Sequence, residues 1–280
     1  MKIYIDTADI DEIKEAYSTG NLDGVTTNNT SAAAYAKKKG RRMSPNNVRD
    51  MAYEIADVFE GDCSISIETV GTPDFNPSNI SVQQIVDEVG VIYSWKLDRK
   101  KELYAKLPST RKGFDAAWII KQISGAKINA TLGFSTEQGV NMAHVGADYF
   151  SPFVGRLENR GGNGIEVVEN TLKIYEAEKL PTKLLFASVR EINHVKEAHR
   201  LGCHIVTMPL RVFKQFTPEE LYEMRQRKEP VGDSKLPAIK PEYVEIADEL
   251  ARTLTDEGLA KFIGDSKDVG YTLLERAGQT

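Results

Sequence analysis

Eight short apolar or alternating runs recur along the chain, each followed by a segment of helical character. The runs are KIYID (2–6), LDGVTT (22–27), SISIET (64–69), LYAKL (103–107), KINATL (127–132), DYFS (148–151), KLLFAS (183–188) and HIVTM (204–208). Between them lie segments such as ADIDEIKEAYSTG, NNVRDMAYEIADVFEG and GFDAAWIIKQISG, opened by Asp, Ser or Thr and closed by Gly, as helix caps require. Strands alternating with helices predict a parallel α/β fold. Eight such units in roughly 215 residues fit a (β/α)8 TIM barrel. The rival, a doubly wound open sheet, usually carries a Gly-rich turn after its first strand. Neither GxGxxG nor GxxxxGK[ST] occurs there. The expected organisation is a barrel over 1–216 and a C-terminal helical extension over 217–280, packed on the barrel or on a neighbouring subunit.

Two stretches break the rhythm: GTPDFNPSNIS (71–81) after the third strand, and QRKEPVGDSKLPAIKP (226–241), which reads as a linker with three prolines. Residues 242–276 read as two helices, the second opened by LTDEGLAKF. A net charge of −5 gives no reason to expect nucleic acid or an anionic membrane as a partner. The N-terminus puts charges where a signal peptide has an apolar run, and no stretch has the length of a membrane span. A soluble, cytoplasmic protein is expected. Cys63 and Cys203 sit in apolar runs without metal-ligand spacing, which predicts two buried free thiols.

In a barrel, side chains alternate between the interior and the helix layer, and active sites form at the C-terminal ends of the strands. Ile65 and Ile67 should therefore face the helices, with Ser64, Ser66 and Glu68 inward. Tyr4 pairs with Asp6, Tyr104 with Lys106, Asn129 with Thr131, Tyr149 with Ser151 and Phe186 with Ser188. In this register Asp6, Asn28, Glu68, Lys106, Asn129, Thr131, Ser151 and Ser188 meet at one end of one barrel. Singly, each has an ordinary reading: Asp6 or Asn28 as a helix cap, Glu68 as an exposed strand end, Lys106 as a surface charge. Together they resemble the setting of a tuned nucleophile, because burial disfavours the charged form of a lysine.

Such a lysine points to Schiff-base chemistry: attack on a ketone, loss of water, and cleavage of a neighbouring C–C bond toward the iminium. The site then needs a carboxylate acid/base, a positioned water, and donors for the ketol hydroxyls. Asp6, then Glu68 with Thr131, then Asn28 and Asn129 would supply them. Arg156 and Arg190 follow the sixth and seventh strands, where barrels commonly bind phosphate, and arginine's planar fork suits phosphate oxygens. The ordinary reading of these arginines is as surface ion-pair partners. RGGNG (160–164) precedes a helix and offers backbone N–H groups to an anion.

The stretches IYIDTADIDEIKEA, DGVTTN, AKLPST, INATLGFS, ADYFSPFVGRLENRGGNG, LLFASVR and TDEGLAKF resemble the transaldolase family, in its compact branch that includes fructose-6-phosphate aldolase. The resemblance implies a barrel with a Schiff-base lysine on the fourth strand, where Lys106 falls. It implies Asp6 as acid/base, and Glu68 with Thr131 on the catalytic water. Substrate binding falls to Thr26, Asn28, Asn129, Ser151 and Phe153, with Arg156, Ser188 and Arg190 on phosphate. It implies sugar-phosphate substrates, no metal or organic cofactor, and a homo-oligomer, pentamer or decamer. Aldolases of the family carry Tyr and Gln in the slots held here by Phe153 and Glu68, which points to transaldolase. The alternatives are a ketose-phosphate aldolase, an enzyme of a related anionic ketose such as a sulfo-sugar, and a binding barrel without turnover.

Two features depart from the family pattern. Asn29 and Thr30 replace the usual Pro-Ser after TTN. A basic cluster, Lys37, Lys38, Lys39, Arg41 and Arg42, adjoins them and reads either as a solvated helix end or as extra attraction for an anionic sugar. The 71–101 segment and the 226–241 linker are also longer than in compact members.

Overall fold

The computed structural model describes residues 1–40, 44–68, 80–98, 100–226 and 240–267. Its elements run β1 (Lys2–Asp6), α1 (Ile10–Tyr17), β2 (Gly24–Thr26), α2 (Asn29–Lys38), α3 (Pro45–Val58), β3 (Cys63–Glu68), α4 (Val82–Ser94) and β4 (Lys101–Pro108). Then follow α5 (Arg111–Ile123), β5 (Lys127–Gly133), α6 (Thr136–His144), β6 (Tyr149–Pro152), α7 (Val154–Glu158), α8 (Gly164–Ala177), β7 (Lys183–Phe186) and α9 (Ile192–Leu201). The order ends with β8 (Ile205–Met208), α10 (Leu210–Phe213), α11 (Pro218–Arg225) and α12 (Glu249–Lys267). The strands pair in sequence order, all parallel, and β1 closes on β8, so the eight expected runs form one closed (β/α)8 barrel. Residues 227–239 of the expected 226–241 linker, 71–79 of the expected 71–81 loop, and Arg41 and Arg42 of the basic cluster lie outside the described residues.

The helix starts have a local chemical cause. Asp9, Ser44, Ser81, Thr110, Ser135 and Thr217 each cap a helix, their side-chain oxygens accepting orphan backbone N–H groups of the first turn. Alternation then sorts the strands. Ile3, Ile5, Ile65, Ile67, Ala105, Leu107, Ile128 and Ala130 pack outward in the main core with the helices. Tyr4, Tyr104, Tyr149, Leu185 and Ile205 fill the barrel interior. Each fully buried isoleucine contributes about 1.5–3 kcal/mol. The interior rings stay satisfied: Tyr104 stacks on Tyr149 with centroids 4.1 Å apart, and the Tyr4 and Tyr149 hydroxyls are 3.2 Å apart. This aromatic layer is the floor on which the polar residues of the C-terminal end stand.

Two expectations need correction. On β7, Phe186 faces the helices, while Leu185 and Ala187 face inward. Ser188 reaches the barrel mouth by another route: its φ is +59°, and the left-handed turn just past the strand breaks the period of two. Among the described residues of the C-terminal region, 240–248 form no helix and α12 occupies 249–267, while 268–276 of the expected helices lie outside the described residues. The Asn141 side chain, which donates to and accepts from the Val244 backbone, satisfies the extended segment instead.

The basic stretch belongs to the solvated surface as far as it is described. Lys38 pairs with Asp9 at 2.7 Å and Asp11 at 2.9 Å, and Lys39 lies over the Tyr35 ring. Cys63 and Cys203 are both buried thiols, not joined in a disulfide. Burial pushes the Cys63 thiol up to about 12. A thiol reagent at neutral pH is therefore expected to find neither cysteine quickly in the native protein, and both after denaturation. Rapid labelling of Cys63 in the folded state would contradict the packing of β3.

Candidate active site

Lys106 stands near the C-terminal end of β4, 4% exposed, on the same inward face of the strand as Tyr104. Its position is set from both sides. Glu68, at the paired position on β3 and 2% exposed, places Oε2 2.8 Å from Nζ. The Thr27 carbonyl accepts a hydrogen bond from Nζ at 2.8 Å. Pro108 belongs to the strand rather than lying beyond it. Gly113, in the first turn of α5, lets that helix sit against the Pro108 carbonyl, where a Cβ would lie 1.9 Å from the oxygen.

Asp6 ends β1. Thr26 Oγ1 donates to its carboxylate at 3.0 Å and is itself 2.7 Å from Thr207 Oγ1. Burial pushes the Asp6 carboxyl above the ordinary carboxylate range. The Lys106 charge and hydrogen bonds from Thr26 and Asn28 oppose that rise without cancelling it. Burial likewise raises Glu68, with the Lys106 charge again the main opposing influence. Two carboxyls biased toward holding a proton thus flank one buried amine. Such groups can carry protons near neutral pH.

Asn28 has two roles. It caps α2 in a capping box with Ser31, as the ordinary reading held, and it bonds Asp6 from the same place. Asn129 is fully buried. Its Nδ2 donates to Ser66 Oγ at 3.1 Å, and its Oδ1 accepts from Ser151 Oγ at 2.7 Å. Thr131 Oγ1 is buried and, among the described residues, has no hydrogen-bond partner. An orphan buried hydroxyl is costly and calls for water or ligand.

A cavity of about 460 Å³ opens above these groups, a size suited to a small molecule. Asp6, Thr26, Asn28, Lys106, Asn129, Thr131, Ser151, Phe153, Arg156, Ser188 and Arg190 all line it. Glu68 lies outside the lining, behind Lys106. Arg156 stacks over Phe153 at 5.0 Å from the ring centroid. Among the described residues neither Arg156 nor Arg190 is paired with a carboxylate, and both line the cavity. RGGNG does not reach the cavity: Asn163 caps α8, and Arg160 pairs with Glu257 at 2.7 Å. The lining residues that sequence reading missed include Thr207, Arg211, Lys261 and Phe262. Thr207 was accessible from alternation in HIVTM. Lys261 and Phe262 arrive only because α12 folds back over the barrel mouth, where Asn29 Nδ2 donates to the Phe262 carbonyl at 3.2 Å.

Among the described residues no cluster of His, Cys, Asp and Glu is placed to hold a metal ion, and no helix is long and apolar enough to cross a membrane. What the site holds is a buried primary amine, two carboxyls, a set of amides and hydroxyls, and two arginines at the rim. That set can capture a carbonyl, move protons and hold an anion.

The chain is similar to probable transaldolases from several bacteria. It is 34% identical to that of Herpetosiphon aurantiacus over 79% of this chain and 89% of the relative. The identity is 35% to that of Shouchella clausii, over 79% and 91%. With that of Clostridium botulinum it is 33%, over 84% of this chain and 100% of the relative. Residues 3–273 match the Transaldolase/Fructose-6-phosphate aldolase family, which takes in the barrel, Lys106 and α12. The fold, the site and the match over nearly the whole length agree: this chain belongs to the transaldolase/fructose-6-phosphate aldolase family.

Proposed function

We propose that the protein is a transaldolase that moves a dihydroxyacetone unit from a ketose phosphate to an aldose phosphate through a Schiff base on Lys106. The observation that carries this reading is the buried Lys106 ammonium held 2.8 Å from Glu68 in the lining of a cavity that also contains Asp6 and two arginines without a carboxylate partner among the described residues. Glu68, biased toward protonation, accepts a proton from Nζ. The free amine adds to the ketose C2 to give a carbinolamine, which loses water to form the iminium. Glu68 and the Thr131 hydroxyl hold the water made there. Asp6 then takes the proton of the C4 hydroxyl, the C3–C4 bond breaks, an aldose phosphate leaves, and the electron pair remains as an enamine. The enamine adds to the acceptor aldehyde, Asp6 returns its proton to the new C4 oxygen, and addition of water to the new iminium releases the ketose phosphate and frees Lys106. Asn28, Asn129 and Ser151 hold the ketol hydroxyls, and Arg156, Ser188 and Arg190 hold the phosphate.

Incubation with fructose 6-phosphate and erythrose 4-phosphate is expected to yield sedoheptulose 7-phosphate and glyceraldehyde 3-phosphate. Free dihydroxyacetone as the main product would instead favour the aldolase reading, and no product from either sugar would refute both. Phe153 gives a finer test, since an apolar ring supplies no proton to quench the enamine. Phe153→Tyr is expected to raise the ratio of free dihydroxyacetone to transferred product at least about tenfold. An unchanged ratio would remove Phe153 as a determinant of transfer.

A further inference from the structure

The segment that carries Thr131 is backbone-strained. Leu132 sits at φ +55°, a left-handed conformation unusual for a side chain of this size, and the β5–β6 register shifts between Ala130 and Gly133. Such strain persists only where surrounding groups hold it, and it tends to mark working sites. Here the surrounding groups can be named. Ser109 donates to the Thr131 carbonyl twice, through N at 2.9 Å and Oγ at 2.8 Å. Gln138, buried on α6, uses its whole amide: Oε1 accepts from Phe134 N at 2.7 Å and Ser135 N at 3.0 Å. Its Nε2 donates to the Ser109 carbonyl at 2.9 Å and to Thr255 Oγ1 at 2.8 Å. Thr255, buried on α12, has one hydroxyl proton, which lies between the Leu132 carbonyl at 3.1 Å and its own helix's Ala251 carbonyl at 2.8 Å.

Capping alone explains only part of this. A capping box needs the Gln138 carbonyl oxygen on Ser135 N and nothing more. The other bonds run to Ser109 just past β4, to Phe134 beside the strained turn and, through Thr255, to a helix 117 positions away in sequence. One turn further along α12, Gly258 packs where a Cβ would lie 2.6 Å from Leu132 and 2.7 Å from the Arg156 guanidinium. The ends of β4 and β5 are thereby tied to each other and to the C-terminal helix. The Thr131 hydroxyl, held at the centre of this arrangement, bonds to no protein group among the described residues.

We propose that Ser109, Gln138 and Thr255 are positioning residues that hold the turn at Leu132 and so aim the Thr131 hydroxyl at the water lost and regained in the Schiff-base steps. The proposal rests on the Schiff-base reading of Lys106 given above. None of the three residues lines the cavity, so they act through Thr131 and not on substrate. The C-terminal helix is then part of the catalytic apparatus and not a packing appendage.

The test uses the full chain with Thr255→Val and Ser109→Ala, and Thr255→Ser as the conservative control. Active sites are counted by the yield of borohydride-reduced Lys106 adduct with fructose 6-phosphate. Each removing variant is expected to lower kcat per labelled site by about tenfold to a hundredfold, since small misplacements of a catalytic group cost that much. KM should stay within about twofold, the final adduct yield should be retained, and the rate of adduct formation should fall in step with kcat. Thr255→Ser should stay within about twofold of the unaltered enzyme. A merely structural role would lower the melting temperature and the adduct yield and leave kcat per labelled site unchanged. That result in both removing variants would overturn the proposal, and if Thr255→Val does not fold, Ser109→Ala decides it alone. Absence of any Lys106 adduct in the unaltered enzyme would overturn both this proposal and the Schiff-base reading, whereas a normal adduct with unchanged kcat in the variants would overturn this proposal only.

Discussion

Replacing Lys106 with methionine is expected to lower kcat for dihydroxyacetone transfer by at least about 10⁴-fold. Methionine keeps an unbranched apolar stem but cannot form an imine. The other described lysine lining the cavity, Lys261, is exposed at the rim and paired with Asp265 at 2.7 Å, so it is poorly placed to substitute. The same change has a thermodynamic consequence. It strips Glu68 of the ammonium 2.8 Å away and leaves a buried carboxyl with only the weaker influence of Arg156 to favour its charge. Burial already raises Glu68 above its unfolded value, and loss of Lys106 removes the largest influence acting against that rise. A carboxyl raised in the folded state favours folding while it is protonated. That contribution is full below the unfolded pKa and is lost as pH rises through the folded one. The melting temperature of Lys106→Met should therefore fall further behind that of the unaltered protein as pH increases, with a cost of about 3–5 kcal/mol once Glu68 must ionise. Adding Glu68→Gln should recover much of that stability without restoring activity. A stability deficit independent of pH would mean that Glu68 is not the group left unpaired.

Asp6→Asn is expected to cost about 10²–10⁴-fold in kcat, the usual worth of a positioned acid/base. The amide keeps the shape and can still bond to Thr26, but it cannot take the C4 proton. Imine formation should survive, so borohydride should now trap an uncleaved six-carbon sugar on the protein in place of the three-carbon unit. In the proposed mechanism the ionised form of Asp6 is the base, and burial raises its pKa. Activity of the unaltered enzyme should thus fall on the acid side through a limb that lies above the ordinary carboxylate range, and Asp6→Asn should lack that limb. A three-carbon adduct formed at the normal rate by the variant would assign the cleavage step to another residue.

Most of this arrangement was legible because it is local. A period of two puts Tyr104 and Lys106 on one face of β4 and Ala105 and Leu107 on the other, and parallel pairing then brings Glu68 beside Lys106. The period fails where the backbone leaves the strand. Ser188 reaches the cavity through a positive φ at a non-glycine residue, a conformation that side-chain type does not announce, so Phe186 was placed on the wrong face. RGGNG looked like an anion cradle because of its glycines, yet Asn163 caps α8 and the segment stays outside the cavity. Contacts between distant segments were not legible at all. Nothing in LTDEGLAKF says that Thr255 meets Gln138 or that Lys261 and Phe262 reach the barrel mouth. The departure at Asn29 and Thr30 also acquires a physical meaning from those contacts. Asn29 bonds the Phe262 carbonyl and Thr30 bonds Asp265, so both hold α12 over the site, which proline at position 29 could not do through a side chain.

The central claim is that Lys106 forms the covalent intermediate. The measurement that meets it most directly is reduction of the enzyme with borohydride in the presence of fructose 6-phosphate, followed by peptide mass spectrometry. A three-carbon adduct derived from dihydroxyacetone is expected on the peptide containing Lys106, with no labelling there in Lys106→Met. An adduct on a different lysine, or an unlabelled enzyme that still transfers the unit, would contradict it.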